Sequence, residues 1–138
     1  MNSMAISSNI LTSGITFAIP GQPVPFARAG GGRTRARFTP AKQRAHMTII
    51  GIYARRAMAG RDLFEGPVQL TVDASWPWPK VRPKSHWRTA RPDLDNTVKL
   101  LKDSLNDICW KDDSQVCALV AQKFYSDTPE LRIWIDPL

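Results

Sequence analysis

Two long segments rich in proline and arginine divide this 138-residue chain and limit where a core can form. The first runs from Pro20 to Phe38 and includes three consecutive glycines, and the second runs from Pro77 to Pro92. Neither segment is expected to form a buried helix or strand, because proline removes backbone hydrogen-bond donors. Loops of this length are uncommon in compact domains unless they are functional or mobile. The regular elements must therefore lie outside these two segments.

The hydrophobic periodicity of the remaining chain predicts four strands and two helices. Strands are expected over residues 15–19, 67–76, 116–125 and 130–136. One helix is expected from Thr39 to near Gly60 and another from Leu94 or Asp95 to about Asn106. The resulting order, β-α-β-α-β-β, predicts an α+β fold with one sheet and two main helices packed on it.

Length and composition exclude several classes of protein. A hydrophobic fraction of 43% is sufficient for a packed core, and no apolar run approaches the roughly 20 residues that span a bilayer. The two cysteines, Cys109 and Cys117, are too few for a disulfide framework and, with two histidines, leave no plausible zinc site. We expect reduced thiols in a cytoplasmic protein, and one domain over residues 1–138 in which residues 1–13 form a flexible leader.

The net charge of +7 is distributed unevenly along the chain. Residues 1–91 carry 14 lysines and arginines against three acidic residues, a net charge of +11, whereas residues 92–138 carry five against nine, a net charge of −4. A basic surface beside an acidic centre suits a polyanionic substrate and a cation-dependent reaction. The candidates for phosphate contacts are Arg28, Arg33, Arg35, Arg37, Lys84, Arg88 and Arg91. Solubility alone is the alternative explanation of the basic charge.

Acidic residues occur at the start of the second helix and again before the third strand. We expect Asp93 and Asp95 to point the same way at the helix N-terminus, with Lys99 one turn beyond Asp95. Asp112 and Asp113 can supply a third carboxylate if the strand that follows them packs beside the helix. Neighbouring carboxylates repel each other unless a cation neutralises them, and oxygen ligands without histidine or cysteine favour Mg²⁺ or Mn²⁺.

A structural interpretation of the same residues is also open. Asp93 could cap the helix, Asp95 could pair with Lys99 on its surface, and the second acidic pair could be a solvated turn. The chain would then be a non-catalytic nucleic-acid-binding module, or a structural dimer with basic loops. Trp78 and Trp87 could likewise stack on exposed bases or cover the edge of the core.

Three segments carry a resemblance to a known family. They are Arg91-Pro92-Asp93-Leu94-Asp95-Asn96-x-x-Lys99, Asp103-x-Leu105-Asn106-Asp107 and Trp110-Lys111-Asp112-Asp113-Ser114-Gln115-Val116. Together they resemble the RusA family of Holliday junction resolvases, and the similarity extends from about Ile15 to Ile135. The resemblance implies a RusA-like mixed sheet and a homodimeric, Mg²⁺-dependent endodeoxyribonuclease, for which Mn²⁺ could substitute. Such enzymes make paired symmetric nicks in four-way DNA junctions during recombination and repair, in bacteria and often in phages or prophages.

The resemblance also assigns roles to individual residues. It implies that Asp93, Asp95 and Asp113 bind the metal and that Lys99 is the essential lysine, which either orients water or stabilises the transition state. A looser structure-selective nuclease, which cuts forks or flaps as readily as junctions, is the alternative within the enzyme class.

Overall fold

The computed structural model describes residues 13–24 and 40–138, and within these ranges it contains four strands and two α-helices. The strands are β1 (Ile15–Pro20), β2 (Val68–Trp76), β3 (Val116–Tyr125) and β4 (Glu130–Pro137). The helices are α1 (Pro40–Met58) and α2 (Leu94–Leu105), and a short 3-10 helix (Asp113–Gln115) precedes β3. The predicted α+β order is confirmed, and the element bounds agree to within two residues. The expected helix cap at Thr39 and nearly all of the expected leader lie outside the described residues.

The four strands form one mixed sheet in the order β1-β4-β2-β3. Strand β4 is antiparallel to both β1 and β2, whereas β2 and β3 are parallel. Because parallel neighbours need a crossover connection, the chain between β2 and β3 must travel back along the sheet. That crossover contains the second proline- and arginine-rich segment (residues 77–92, here the second basic segment), helix α2, and the turn that carries Asp112 and Asp113 (the acidic turn). The aspartates at the start of α2 and those of the acidic turn therefore come from one connection.

The core lies between the helices and one face of the sheet. The inward face of β2 consists of Val68, Leu70, Val72 and Ala74, which are all buried. The buried face of helix α2 consists of Thr97, Val98, Leu100, Leu101, Ser104 and Leu105. The Ser104 hydroxyl donates 2.7 Å to the carbonyl oxygen of Leu100, so its burial leaves no unsatisfied donor. The buried face fixes α2 against the sheet and thereby fixes the start of the helix.

The second basic segment packs against the outer edge of β3. The amide of Tyr125 donates to the His86 carbonyl oxygen over 2.7 Å, and Trp87 forms a β-bridge with Phe124. The ring of Trp78 stacks on Tyr125 with 5.3 Å between centroids. The structure therefore favours the interpretation in which Trp78 covers the edge of the core. Trp87 is half exposed.

Two further expectations concern membranes and thiols. Neither of the helices in residues 40–138 is long and apolar enough to cross a bilayer. Cys109 is buried and Cys117 is exposed, and neither forms a disulfide. Burial raises the pKa of the Cys109 thiol to about 12, so this side chain acts as a small core residue.

Candidate active site

Asp93 lies directly before α2 in an extended conformation, with φ −67° and ψ 147°. Its backbone carbonyl oxygen accepts from the amides of Asn96 and Thr97, at 3.2 and 3.4 Å. Its side chain makes no capping hydrogen bond to the helix. The interpretation of Asp93 as a side-chain cap therefore lacks the bond that defines a cap. The carboxylate is exposed at the point where the chain enters the helix.

A pocket of about 530 Å³, here called the acidic pocket, lies between α2 and the adjoining strand β3. Its lining residues are Leu94, Asp95, Val98, Lys99, Lys102, Asp113, Leu119 and Ala121. The pocket brings together Asp95, Lys99 and Asp113, which are three of the four residues that the sequence assigned to the reaction. Asp93 lies two residues before Asp95 and does not line this pocket.

The two neighbouring aspartates of the acidic turn have different surroundings. A carboxylate oxygen of Asp112 accepts from the amide of Ser114 over 3.4 Å and caps the short 3-10 helix. Asp113 lies in the first turn of that helix, and its side chain faces the pocket. Asp112 therefore stabilises the short 3-10 helix, whereas Asp113 lines the same pocket as Asp95.

The side chain of Gln115 connects the acidic turn to the segment before β2. Its oxygen accepts from the amides of Lys111 and Asp112, at 3.0 and 3.2 Å. Its nitrogen donates to the carbonyl oxygens of Phe64 and Gly66, at 2.8 and 3.0 Å. All the strong hydrogen-bonding groups of the amide are thus satisfied by backbone. This arrangement explains why glutamine, with both a donor and an acceptor, suits the position.

Two lysines of α2 face the pocket. The ammonium of Lys99 lies 3.6 Å from a carboxylate oxygen of Asp103, one helical turn further along. Lys102, which is not among the residues assigned from the sequence, also lines the pocket. Its spacing of three residues from Lys99 puts both lysines on one helix face and was the signal available in the sequence. Positive charge therefore accompanies the two carboxylates in the same pocket.

The candidates for phosphate contacts divide into three groups. Arg28, Arg33, Arg35 and Arg37 lie outside the described residues. Lys84 and Arg91 are exposed on the second basic segment. Arg88 is half-buried, its guanidinium carbon lies 4.4 Å from the centroid of the Trp76 ring, and it donates to the Ala90 carbonyl oxygen over 3.0 Å. The guanidinium of Arg88 is therefore engaged within the protein.

The carboxylate oxygens of these aspartates are the kind of ligand that a hard divalent cation prefers. Asp95 and Asp113 share a pocket, and Mg²⁺ is commonly held by only one or two carboxylates while it keeps several waters. Over residues 13–24 and 40–138, no three acidic, histidine or cysteine side chains are already gathered closely enough to enclose an ion. The assignment of Asp93, Asp95 and Asp113 as ligands stays a prediction.

A family model and one named relative identify the same family. The family model described as endodeoxyribonuclease RusA matches residues 20–136. The chain is similar to the uncharacterized protein YqaN of Bacillus subtilis (strain 168), with 33% identity over 136 residues, covering 88% of this chain and 94% of YqaN. It is also similar to a protein of Lactococcus phage r1t named crossover junction endodeoxyribonuclease rusA, with 33% identity over 70 residues, covering 50% and 53% of the two chains.

Proposed function

The chain belongs to the RusA family of endodeoxyribonucleases, and we propose that it resolves four-way (Holliday) DNA junctions by paired nicks in the presence of Mg²⁺. The observation that carries the proposal is the single pocket in which Asp95, Asp113 and Lys99 meet. These residues come from the start of α2 and from the turn before β3, and the fold brings them into one pocket. Such convergence of carboxylates and lysine is what metal-assisted phosphodiester hydrolysis requires.

Asp93, Asp95 and Asp113 are the proposed ligands of Mg²⁺, and Mn²⁺ can take its place. When bound, the ion supplies an activated water and neutralises charge on the scissile phosphate. Asp95, in the first turn of α2, and Asp113, in the turn before β3, would hold the ion from two different elements of the fold. Val98 of α2 and Leu119 of β3 add apolar surface beside these charged groups.

The lysines of the pocket act on the phosphate. Lys99 either holds the attacking water in line or stabilises negative charge as it develops on the phosphoryl oxygens. Its ion pair with Asp103 keeps the ammonium near the pocket before the DNA arrives. Lys102 adds a second positive charge for an adjacent phosphate. Lys84 and Arg91, both exposed, extend the basic surface along the second basic segment.

Paired nicking also requires two reaction centres. We propose a homodimer with a two-fold axis, because such a dimer presents two equivalent centres to the two-fold symmetry of a four-way junction. Cross-linking and sedimentation of the protein alone and with junction DNA measure this directly. A protein that stays monomeric on the junction would make the two nicks independent events and would contradict symmetric resolution.

The decisive experiment compares three DNA substrates: a mobile four-way junction, a fork and a linear duplex, each with Mg²⁺ or with EDTA. We expect paired nicks on the junction in Mg²⁺ and none in EDTA. The Asp95→Asn variant should lose cleavage by at least about 10²-fold while binding the junction as well as or better than the wild type, since a repulsive charge is removed. Asp62→Asn, at an exposed aspartate on the loop before β2, is the matched control and should cut normally.

Other results would point elsewhere. Equal cutting of forks and junctions would replace the resolvase proposal with a broader structure-selective nuclease. Junction binding that ignores Mg²⁺, with no nicks on any substrate, would support a non-catalytic binding module. Undiminished cutting by the Asp95→Asn variant would remove the proposed site.

A further inference from the structure

Lys123 occupies a position in β3 where the strand pattern calls for an apolar side chain. It pairs with Ala74 of β2, which is fully buried on the helix-facing side of the sheet. Alternation along β3 places Leu119, Ala121 and Lys123 on that same face. Leu119 and Ala121 line the acidic pocket, so Lys123 continues the row of side chains that forms one wall of the site.

The ammonium of Lys123 is bound to the chain that leads into α2. It donates to the carbonyl oxygens of Ala90 and Pro92, each over 2.9 Å. Pro92 is the residue immediately before Asp93, so this contact lies directly next to the first of the proposed metal ligands. Hydrogen bonds from a charged donor are shorter and stronger than neutral ones. One side chain of β3 therefore holds both carbonyls that flank Arg91.

The backbone of Lys123 contacts the same segment. Its carbonyl oxygen accepts from the amide of Arg88 over 3.4 Å, and the Arg88 guanidinium donates to the Ala90 carbonyl oxygen. The contacts of Arg88 stop at Ala90. The Lys123 ammonium reaches further along the segment, to Pro92, which lies directly next to Asp93.

We propose that Lys123 is a positioning residue that fixes the segment carrying Asp93 against the strand that follows Asp113. Asp93 directly follows the segment on one side of this contact, and Asp113 precedes the strand on the other, so the Lys123 ammonium helps to fix the separation of these two carboxylates. This inference rests on the proposed function, because the separation matters only if both groups act on one ion. Outer contacts that orient metal ligands affect metal affinity or activity by roughly 10–100-fold.

The test uses three substitutions of Lys123 and one control in the full-length protein. Lys123→Met removes the donors but keeps most of the volume, and Lys123→Arg keeps both charge and donors. Lys111→Met is the matched control, since it removes the same charge from an exposed lysine that lies outside the pocket. Lys123→Gln, which keeps a shorter neutral donor, replaces Lys123→Met in every measurement if the latter does not fold.

The first readout is hydrogen–deuterium exchange of residues 89–97 without DNA or metal. We expect the amides of this stretch to exchange about 10-fold faster in Lys123→Met, because the two anchoring bonds are lost. Exchange in Lys123→Arg and Lys111→Met should remain close to that of the wild type. Unchanged exchange in Lys123→Met would overturn the positioning role whether or not the protein is a nuclease.

The second readout is junction cleavage at increasing Mg²⁺ concentration. We expect Lys123→Met to lower kcat about 10–100-fold and to raise the Mg²⁺ concentration needed for half-maximal rate, with the KM for the junction nearly unchanged. Lys123→Arg should recover most of that loss. A raised KM with an unchanged kcat would instead mean that Lys123 contacts DNA, and would overturn the proposal. Absence of cleavage by the wild type would refute the proposed function and leave the exchange measurement to decide the role of Lys123.

Discussion

The indole nitrogen of Trp110 donates a hydrogen bond of 2.8 Å to the side-chain oxygen of Asn106. Trp110 is fully buried, and its carbonyl oxygen also accepts from the amide of Asp107 over 2.7 Å. These two bonds close the turn between α2 and the acidic turn. The buried Trp110 side chain therefore fixes the turn in the segment that connects Asp95 to Asp113.

Replacing Asn106 with leucine should destabilise the fold. The substitution keeps a similar volume but leaves the buried indole N–H without an acceptor, so we expect the free energy of unfolding to fall by about 1–3 kcal/mol. Urea denaturation followed by circular dichroism measures this change. Gln122→Leu, at an exposed position of β3, is the control and should change stability by less than about 0.5 kcal/mol. An Asn106→Leu protein as stable as the control would contradict the inferred importance of this bond.

The neighbouring aspartates of the acidic turn should respond differently to the same substitution. Asp113→Asn removes a carboxylate from the pocket, and we expect cleavage of junction DNA to fall by at least about 10²-fold with little change in stability. Asp112→Asn should retain activity, because asparagine caps a helix about as well as aspartate. Cleavage rates and thermal unfolding midpoints of the two variants provide the comparison. Equal loss of cleavage in both would show that the pocket does not distinguish them.

His46 should make stability depend on pH on the acidic side of neutrality. It is buried in α1, its Nε2 accepts from the amide of Val24 over 3.4 Å, and burial lowers its pKa. Below the ordinary histidine pKa of about 6.5 the unfolded chain binds the proton more readily than the folded protein does. The free energy of unfolding should therefore be unaffected by His46 above about pH 7. It should decrease as the pH falls below 6.5, by no more than about 1.4 kcal/mol per pH unit.

Urea denaturation at pH 7.5 and pH 5.5 measures this dependence. A His46→Gln variant, whose amide oxygen can still accept from Val24, should show a smaller difference between the two pH values than the wild type. His86→Gln, at an exposed histidine on the second basic segment, should leave the difference as it is in the wild type. A wild-type protein that is more stable at pH 5.5 would reverse the expected sign.

Sequence patterns predicted the elements well because each has a strong local signal. Alternating apolar residues over Val68–Ala74 define β2, and the segment from Leu94 shows clear helical spacing. The grouping of Asp95, Lys99 and Asp113 was also within reach, since it needs only that α2 packs beside β3. These inferences require the order of the elements and the periodicity of each, both of which are local properties.

The contacts that hold the site in place were beyond such reasoning. The role of Lys123 depends on the register of β3 and on the path of the second basic segment, and neither has a local signature. Its one available signal was a charged residue on an otherwise apolar face of a strand. Gln115 and Asn106 stood in the motifs, but their partners lie on other segments or across a turn. The contact between the Arg88 guanidinium and the Trp76 ring likewise has no signal in the sequence.

The parallel pairing of β2 and β3 has a consequence for the newly made protein. Leu119 and Ala121 form part of the acidic pocket, so the pocket does not exist until β3 has docked beside β2. Parallel pairing across a long crossover is a non-local event, which tends to come late because the entropy of closing the connection must be overcome first. In a nascent or partly denatured chain the carboxylates therefore stay apart. We expect nuclease activity to appear only after the whole domain has folded.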